Sequence, residues 1–229
     1  YLANAPSQSG GKRVLILGIN DWVTRIKMEA MLGKAMQLHG GTPVFLTQHA
    51  CGWAHKYLPA YGIHDYVYWD DYLKETEDQV TDEQVEEIIA ARPSFHEMLS
   101  FTHEGVEVGK HVLSTVVRQL LHGSVGFNDP EAQAMLRLIM KQSLHSIAAA
   151  KLMFEREEFY AMMTREKGYT PFGEIFDCGL LAGVQGIQHH HGQRQDAFVL
   201  KRYTSDNIAM HPFSLSPESW EEVKAMPWP

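Results

Sequence analysis

The chain predicts an α/β fold, a Rossmann-like doubly wound parallel sheet that carries a helical insertion. Three observations predict it. Lys12 to Gly18, KRVLILG, is a short continuous apolar run of the kind that forms a strand buried on both faces, as parallel sheets require. A helical stretch and a second short run, Thr42 to Thr47 (TPVFLT), complete a strand–helix–strand unit, and DYVYWDD (Asp65 to Asp71) adds a third strand. The same alternation returns after residue 154.

Taken in order, residues 1–11 are a polar, Gly/Ser-bearing leader, and residues 12–229 form one Rossmann-like domain. Between the first two strands, Ile26, Ala30, Gly33 and Leu38 mark a helical stripe, and Gly40-Gly41 stops it. From Tyr72 the chain changes character. LKETEDQVTDEQVEEIIAARPSF is acidic, carries a capping box at Thr81 and Gln84, and ends near Pro93, as a solvated helix does. The next helix puts Val112, Val116, Val117, Leu120 and Leu121 on one face, with Gly123 as its C-cap. A long helix from about Asp129 to Phe154 then turns Met135, Leu138, Ile139, Ile147 and Met153 to its apolar side. These helices form the insertion, at about residues 72–154. Beyond it, EEFYAMMT reads as strand, TPFGEIFDCGLLAG as helix, VQGIQHH as strand and GQRQDAFVLKRYT as helix. SPESWEEVKAM closes the chain as a helix with a Ser216 cap and Pro217 in its first turn.

Composition narrows the function. The chain has 229 residues, 45% of them hydrophobic, which is enough for a buried core. A net charge of -8 and the lack of a Lys/Arg-dense block argue against nucleic acid or anionic membrane as a partner. The two isolated cysteines, Cys51 and Cys178, offer neither a disulfide framework nor a zinc site. No apolar run reaches the roughly 20 residues that span a bilayer. A cytoplasmic location, peripheral to the inner membrane at most, is the expectation. The opening on Tyr1 and the stop at AMPWP read as those of an excised piece.

In an open α/β sheet, ligands collect beyond the carboxyl ends of the strands, so residues there are the first candidates. Asn20, Asp21 and Trp22 leave the first strand: Asp21 is a general base or hydroxyl ligand and Trp22 a stacking platform, or Asp21 simply caps the next helix. VLILGINDW lacks the three-glycine spacing of a dinucleotide turn, which disfavours a dehydrogenase and leaves no cofactor implied. Tyr169 and Glu174 sit between a strand and a helix. Glu174 either favours the helix dipole or faces the cleft. The run His189, His190, His191 closes another strand, where alternation puts His189 and His191 on one face. Two imidazoles begin a metal site only if a third ligand joins them, and none is identifiable by spacing, so no metal is expected. The favoured reading has His191 or His189 in the cleft, Gly192 admitting a ligand to the backbone, and Gln193, Arg194 and Asp196 opening a helix beneath it. Buried core histidines are the alternative. His103 and Glu104, with Gly105, Lys110 and His111, form either an acceptor-binding loop or an incidental helix connection.

The run from Lys167 to Thr204 resembles the later part of the N-terminal domain in bacterial glycosyltransferases of the B fold that build surface polysaccharides. The matching residues are Tyr169, Pro171, Gly173 and Asp177 of a Y-x-P-x-G-x-x-x-D helix start, and His191-Gly192 of a following strand end. RVLILGINDW is similar to the first strand of the same domain, which an acidic or histidine base often follows. The resemblance implies an acceptor-binding half, the nucleotide-sugar donor being held by a second Rossmann domain that this chain lacks. It implies a base drawn from Asp21, His191 and Glu174, in that order. Asn20, Trp22, His103, Glu104, Tyr169, His189, Gly192 and Arg194 would then contact a glycan or small-molecule acceptor. A noncatalytic carbohydrate- or nucleotide-binding module and a protein-interaction domain are the competing classes.

Overall fold

A computed structural model describes residues 11–192, 194, 197–204, 206–208, 210 and 217–227. Among these residues six strands form one sheet: β1 (Arg13–Leu17), β2 (Thr42–Thr47), β3 (Tyr66–Tyr68), β4 (Ala161–Thr164), β5 (Gln185–His191) and β6 (Phe198–Tyr203). Their order is β3-β2-β1-β4-β5-β6, with β6 alone antiparallel. The chain builds outward from β1 through β2 to β3, then returns to place β4 on the other side of β1. That reversal makes the gap between β1 and β4 the switch point, where the connections diverge and leave a crevice.

The helices α1 (Val23–Leu38) and α2 (Gly52–Tyr57) cover one face of the sheet. Ile26, Ala30, Ala54 and Leu58 pack there on Ile16, Phe45 and Met163. Residues 69–156, between β3 and β4, hold α3 (Trp69–Glu75), α4 (Asp82–Ala90), α5 (Phe95–Leu99), α6 (Val108–Leu120) and α7 (Pro130–Arg156), and no strand. With α8 (Phe172–Leu181) they bury Leu15, Leu17, Val44, Leu46 and Met162 on the opposite face. The fold is therefore the expected doubly wound α/β arrangement. A last helix, α9, spans Pro217–Ala225. No described helix is long and apolar enough to cross a membrane.

Local chemistry explains most boundaries. Gly40, at φ 81°, takes the left-handed turn that ends α1, and Thr81 and Gln84 form the complete capping box of α4. Asp129 caps α7 by accepting a hydrogen bond from the Glu131 N–H, with Pro130 in the first turn.

The structure departs from the sequence expectation in several places. GQRQDAFVLKRYT does not form a helix: its described part contains β6, which runs back along β5 with His189 opposite Leu200, His190 opposite Val199 and His191 opposite Phe198. The β-branched and aromatic residues of FVLKRY pair with β5 where a helical period was read. The C-cap of α6 is Leu121 in the left-handed region (φ 55°), with Gly123 beyond it, and Leu121 is 89% exposed rather than part of the apolar face. Leu38 and Leu138 also point to solvent. Ser216, read as a cap, and Gln193 and Asp196, read as a helix start, lie outside the described residues.

Candidate functional site

The polar loop after β4 is held from below by a buried network. His111 on α6 and Asp177 on α8 are almost fully buried, with Nε2 and Oδ2 2.8 Å apart, and the same Oδ2 accepts from the Glu107 backbone N–H at 3.2 Å. Burial alone would lower the His111 pKa. The hydrogen bond to Asp177 and the charges of Glu174, Asp177 and Glu107 outweigh it and hold the imidazole above its ordinary value. Gly173 lets the ring approach, since a Cβ there would stand 2.4 Å from His111 Nδ1. The Glu174 carboxylate accepts from Ser143 Oγ on α7 at 2.5 Å and from Thr170 Oγ1 at 2.7 Å. Thr115 Oγ1 accepts from the Thr170 N–H at 2.9 Å. Helices α6, α7 and α8 are thus tied to the residue on which the loop turns into α8.

Above this network opens a cleft of about 540 Å³. The loop Arg165 to Tyr169, Ser114 and Arg118 of α6, and Gln188 and His190 of β5 form most of its wall. It lies at the carboxyl ends of β4 and β5, beside the switch point. Three lining side chains are cationic (Arg118, Arg165 and Lys167) and one, Glu166, is a carboxylate. Arg118 stacks its guanidinium 4.6 Å from the Tyr169 ring centroid and stands 3.6 Å from Glu166. Lys167 Nζ donates to the Ile208 carbonyl, and burial, opposed by Asp177 and Glu107, pushes its pKa below the ordinary lysine value. Gln188 is 4% exposed; its Nε2 donates to the Arg165 carbonyl, while its buried Oε1 has no hydrogen-bond partner among the described residues.

The anticipated site residues divide among several places. Tyr169 lines the cleft. Asn20, Asp21 and Trp22 leave β1 on the side of α1 and α2. Asp21 Oδ1 accepts from the backbone N–H groups of Trp53 (2.9 Å) and Ala54 (3.3 Å), so the carboxylate caps α2 rather than the helix that follows it. Its Oδ2 lies outside those bonds, and Trp22 and Trp53 are exposed beside it (58% and 40%). Glu174 is wholly buried in the network beneath the cleft, away from its surface.

The three histidines separate by pleat. His189 is fully buried toward α1, its Nε2 3.8 Å from Glu29 Oε1, and Glu29 pairs at 2.8 Å with Arg25. His191 is exposed and stacks on Phe198. They share a face, as alternation requires, but the histidine that lines the cleft is His190, on the opposite face. Gly192 closes a hairpin rather than opening a helix. Its N–H donates to the Ala197 carbonyl at 2.7 Å, and a Cβ there would stand 2.9 Å from Ala197 Cβ. Arg194 is exposed in that connection.

His103 and Glu104 lie elsewhere. Glu104 pairs with Lys151 at 2.9 Å and borders Leu181 and Ala182, at the end of α8 opposite the one that meets the cleft. Both residues line a separate hollow of about 660 Å³ against α4 and α7, whose wall contains no strand residue. Among the described residues, no three His, Cys, Asp or Glu side chains are grouped to hold a metal ion. Burial pushes the Cys178 thiol up to about 12, which leaves it no role as a thiolate near pH 7.

Arg118, Arg165, Lys167, Gln188 and His190 were not singled out by sequence reasoning as site residues. The available signal was REKG directly after a strand, which puts two cations at a carboxyl end. Comparison of the chain with protein-family models, curated proteins and solved structures returns no match.

Proposed function

We propose that this chain is the acceptor-binding half of a glycosyltransferase that moves a sugar from a nucleotide-sugar donor to a hydroxyl acceptor. The observation that carries the reading is the polar cleft beside the switch point of a doubly wound sheet, bordered by side chains suited to hydroxyls: Ser114, Tyr169, Gln188 and His190. The resemblance of the Tyr169 to Asp177 helix start to B-fold glycosyltransferases supports it. Such a transfer needs a base at the attacking hydroxyl. The resemblance puts Asp21 first; it lines no part of that cleft, but two backbone N–H groups, one of them from the exposed Trp53, fix one of its carboxylate oxygens and leave the other open at the end of β1, beside the exposed Trp22 in the chain. Glu166 is the carboxylate in the cleft wall itself.

The test is binding of the chain to an oligosaccharide array, read also by tryptophan fluorescence. Glycan binding that Trp22→Ala weakens, with no turnover of nucleotide sugar by the chain alone, is the expected result. For the transferase bearing this half, Asp21→Asn keeps an oxygen to cap α2 but has no basicity, so turnover falls by about 100-fold or more while the fold is retained. Near wild-type turnover of that variant removes Asp21 as the base, and a failure to bind any glycan removes the acceptor reading.

A further inference from the structure

The cleft concentrates positive charge in a chain whose net charge is -8, placing Arg118, Arg165 and Lys167 around a single carboxylate, Glu166. The charge comes from two separate elements, α6 and the loop after β4. A solvated surface face would offset these cations pair by pair. Here the one opposing contact, Arg118 with Glu166, is long at 3.6 Å, and Arg165 makes no side-chain hydrogen bond or ion pair among the described residues. Lys167 spends one of its three N–H donors on the Ile208 carbonyl. Beside these donors stands an acceptor of the opposite kind, the buried Oε1 of Gln188, unpartnered among the described residues. A buried amide oxygen without a donor costs about 1–3 kcal/mol, and a ligand hydroxyl would remove that cost. Convergent cations next to a neutral acceptor match a molecule that is anionic at one end and bears hydroxyls at the other.

We infer that the cleft is a binding site for a phosphorylated sugar or polyol, with its phosphate held by Arg118, Arg165 and Lys167 and a hydroxyl donated to Gln188 Oε1. The guanidinium groups suit phosphate oxygens because their N–H pairs form two parallel bonds. A bound phosphate would also oppose, by its charge, the effect of the burial that depresses Lys167. The assignment rests on the cleft being the ligand site of the proposed function, and it stands independently of the transfer reaction.

The experiment titrates the chain, by isothermal calorimetry, with inorganic phosphate, glucose 1-phosphate and glucose. Glucose 1-phosphate is expected to bind more tightly than phosphate, and glucose more weakly than either. Arg118→Gln and Arg165→Gln should each weaken glucose 1-phosphate about tenfold or more, because each removes a charged hydrogen-bonding group. Gln188→Leu should weaken glucose 1-phosphate while leaving inorganic phosphate unchanged. If that variant fails to fold, the two arginine variants still decide. Co-sedimentation with phosphatidylcholine vesicles containing phosphatidylinositol separates the sources. Retention abolished by Arg165→Gln places the phosphorylated polyol on a lipid, and binding of glucose 1-phosphate alone makes it a free monoester. Binding that both arginine substitutions leave unchanged, equal affinity for glucose and glucose 1-phosphate, or binding of neither phosphate compound nor vesicle overturns the inference. Glycan binding without phosphate preference would leave the proposed function standing. Phosphate binding without any glycan binding would do the reverse.

Discussion

The cleft and the network beneath it share two elements, α6 and the segment that leads into α8, yet they treat charge in opposite ways. Below, His111 and Asp177 meet at 2.8 Å out of contact with solvent, and Glu174 is closed over by Ser143 and Thr170. Above, Arg118 is exposed and Arg165 half-buried, and among the described residues only Glu166, 3.6 Å from Arg118, opposes them. A charge that is buried and paired fixes geometry, because losing its partner leaves an uncompensated ion in a poor solvent for ions. A charge that is accessible and unpaired contributes almost nothing to the fold and is free to meet a ligand. The lower layer thus sets where the loop from Arg165 to Tyr169 lies, and the upper layer sets what it binds.

The largest test of that division is Asp177→Ala, which removes one partner of the buried pair and strands His111. It should lower stability by about 3–5 kcal/mol in urea denaturation. A loss under about 1 kcal/mol would mean that water or another group already serves His111, and the two layers would no longer differ in kind.

An intermediate effect is expected with pH. The folded-state pKa of His111 is raised above its ordinary value of 6.5, so folding favours the protonated ring. Its contribution to stability is fully present below about 6.5 and is lost as pH rises through the higher folded value. Urea midpoints measured upward from about pH 6 should therefore fall, and His111→Gln, which can still donate to Asp177, should flatten that slope. An unchanged slope in the variant would assign the dependence to other groups.

The smallest stability effect belongs to the upper layer. Arg165→Gln should change the unfolding free energy by no more than about 0.5 kcal/mol, while it weakens the phosphate ligand. A larger stability loss would make Arg165 a member of the structural network and sharpen the boundary between the layers in the other direction.

Much of the frame was legible beforehand because it depends on local pattern. KRVLILG and TPVFLT are too short and too apolar to be anything but buried strands in this context, and TDEQ carries its own cap. The segment after β5 was misread because FVLKRY has a pattern compatible with either period. Pairing with β5, a contact between strands, decided in favour of a strand. Of the candidate site, Tyr169 and its loop were visible as a polar strand end. His103 and Glu104 were chemically plausible, but no local signal reveals that they lie at the far end of α8. Asp21 reads from sequence either as a base or hydroxyl ligand or as the cap of the helix directly after it; its Oδ1 caps α2 instead, some thirty residues on in the chain.

The sequence by itself determined β1 to β5, most of the helices, the α/β class and the polar character of the strand ends, since each depends on periodicity and capping within a few residues. The tertiary structure alone decided which polar residues meet. It put His190 rather than His189 or His191 at the cleft, buried Glu174 and Asp177 under it, and brought Arg118 from α6 to Arg165 and Lys167 across about fifty residues of chain. The physical reason is that strand alternation fixes which side chains share a face, whereas which face meets the cleft depends on the helices packed on each side of the sheet.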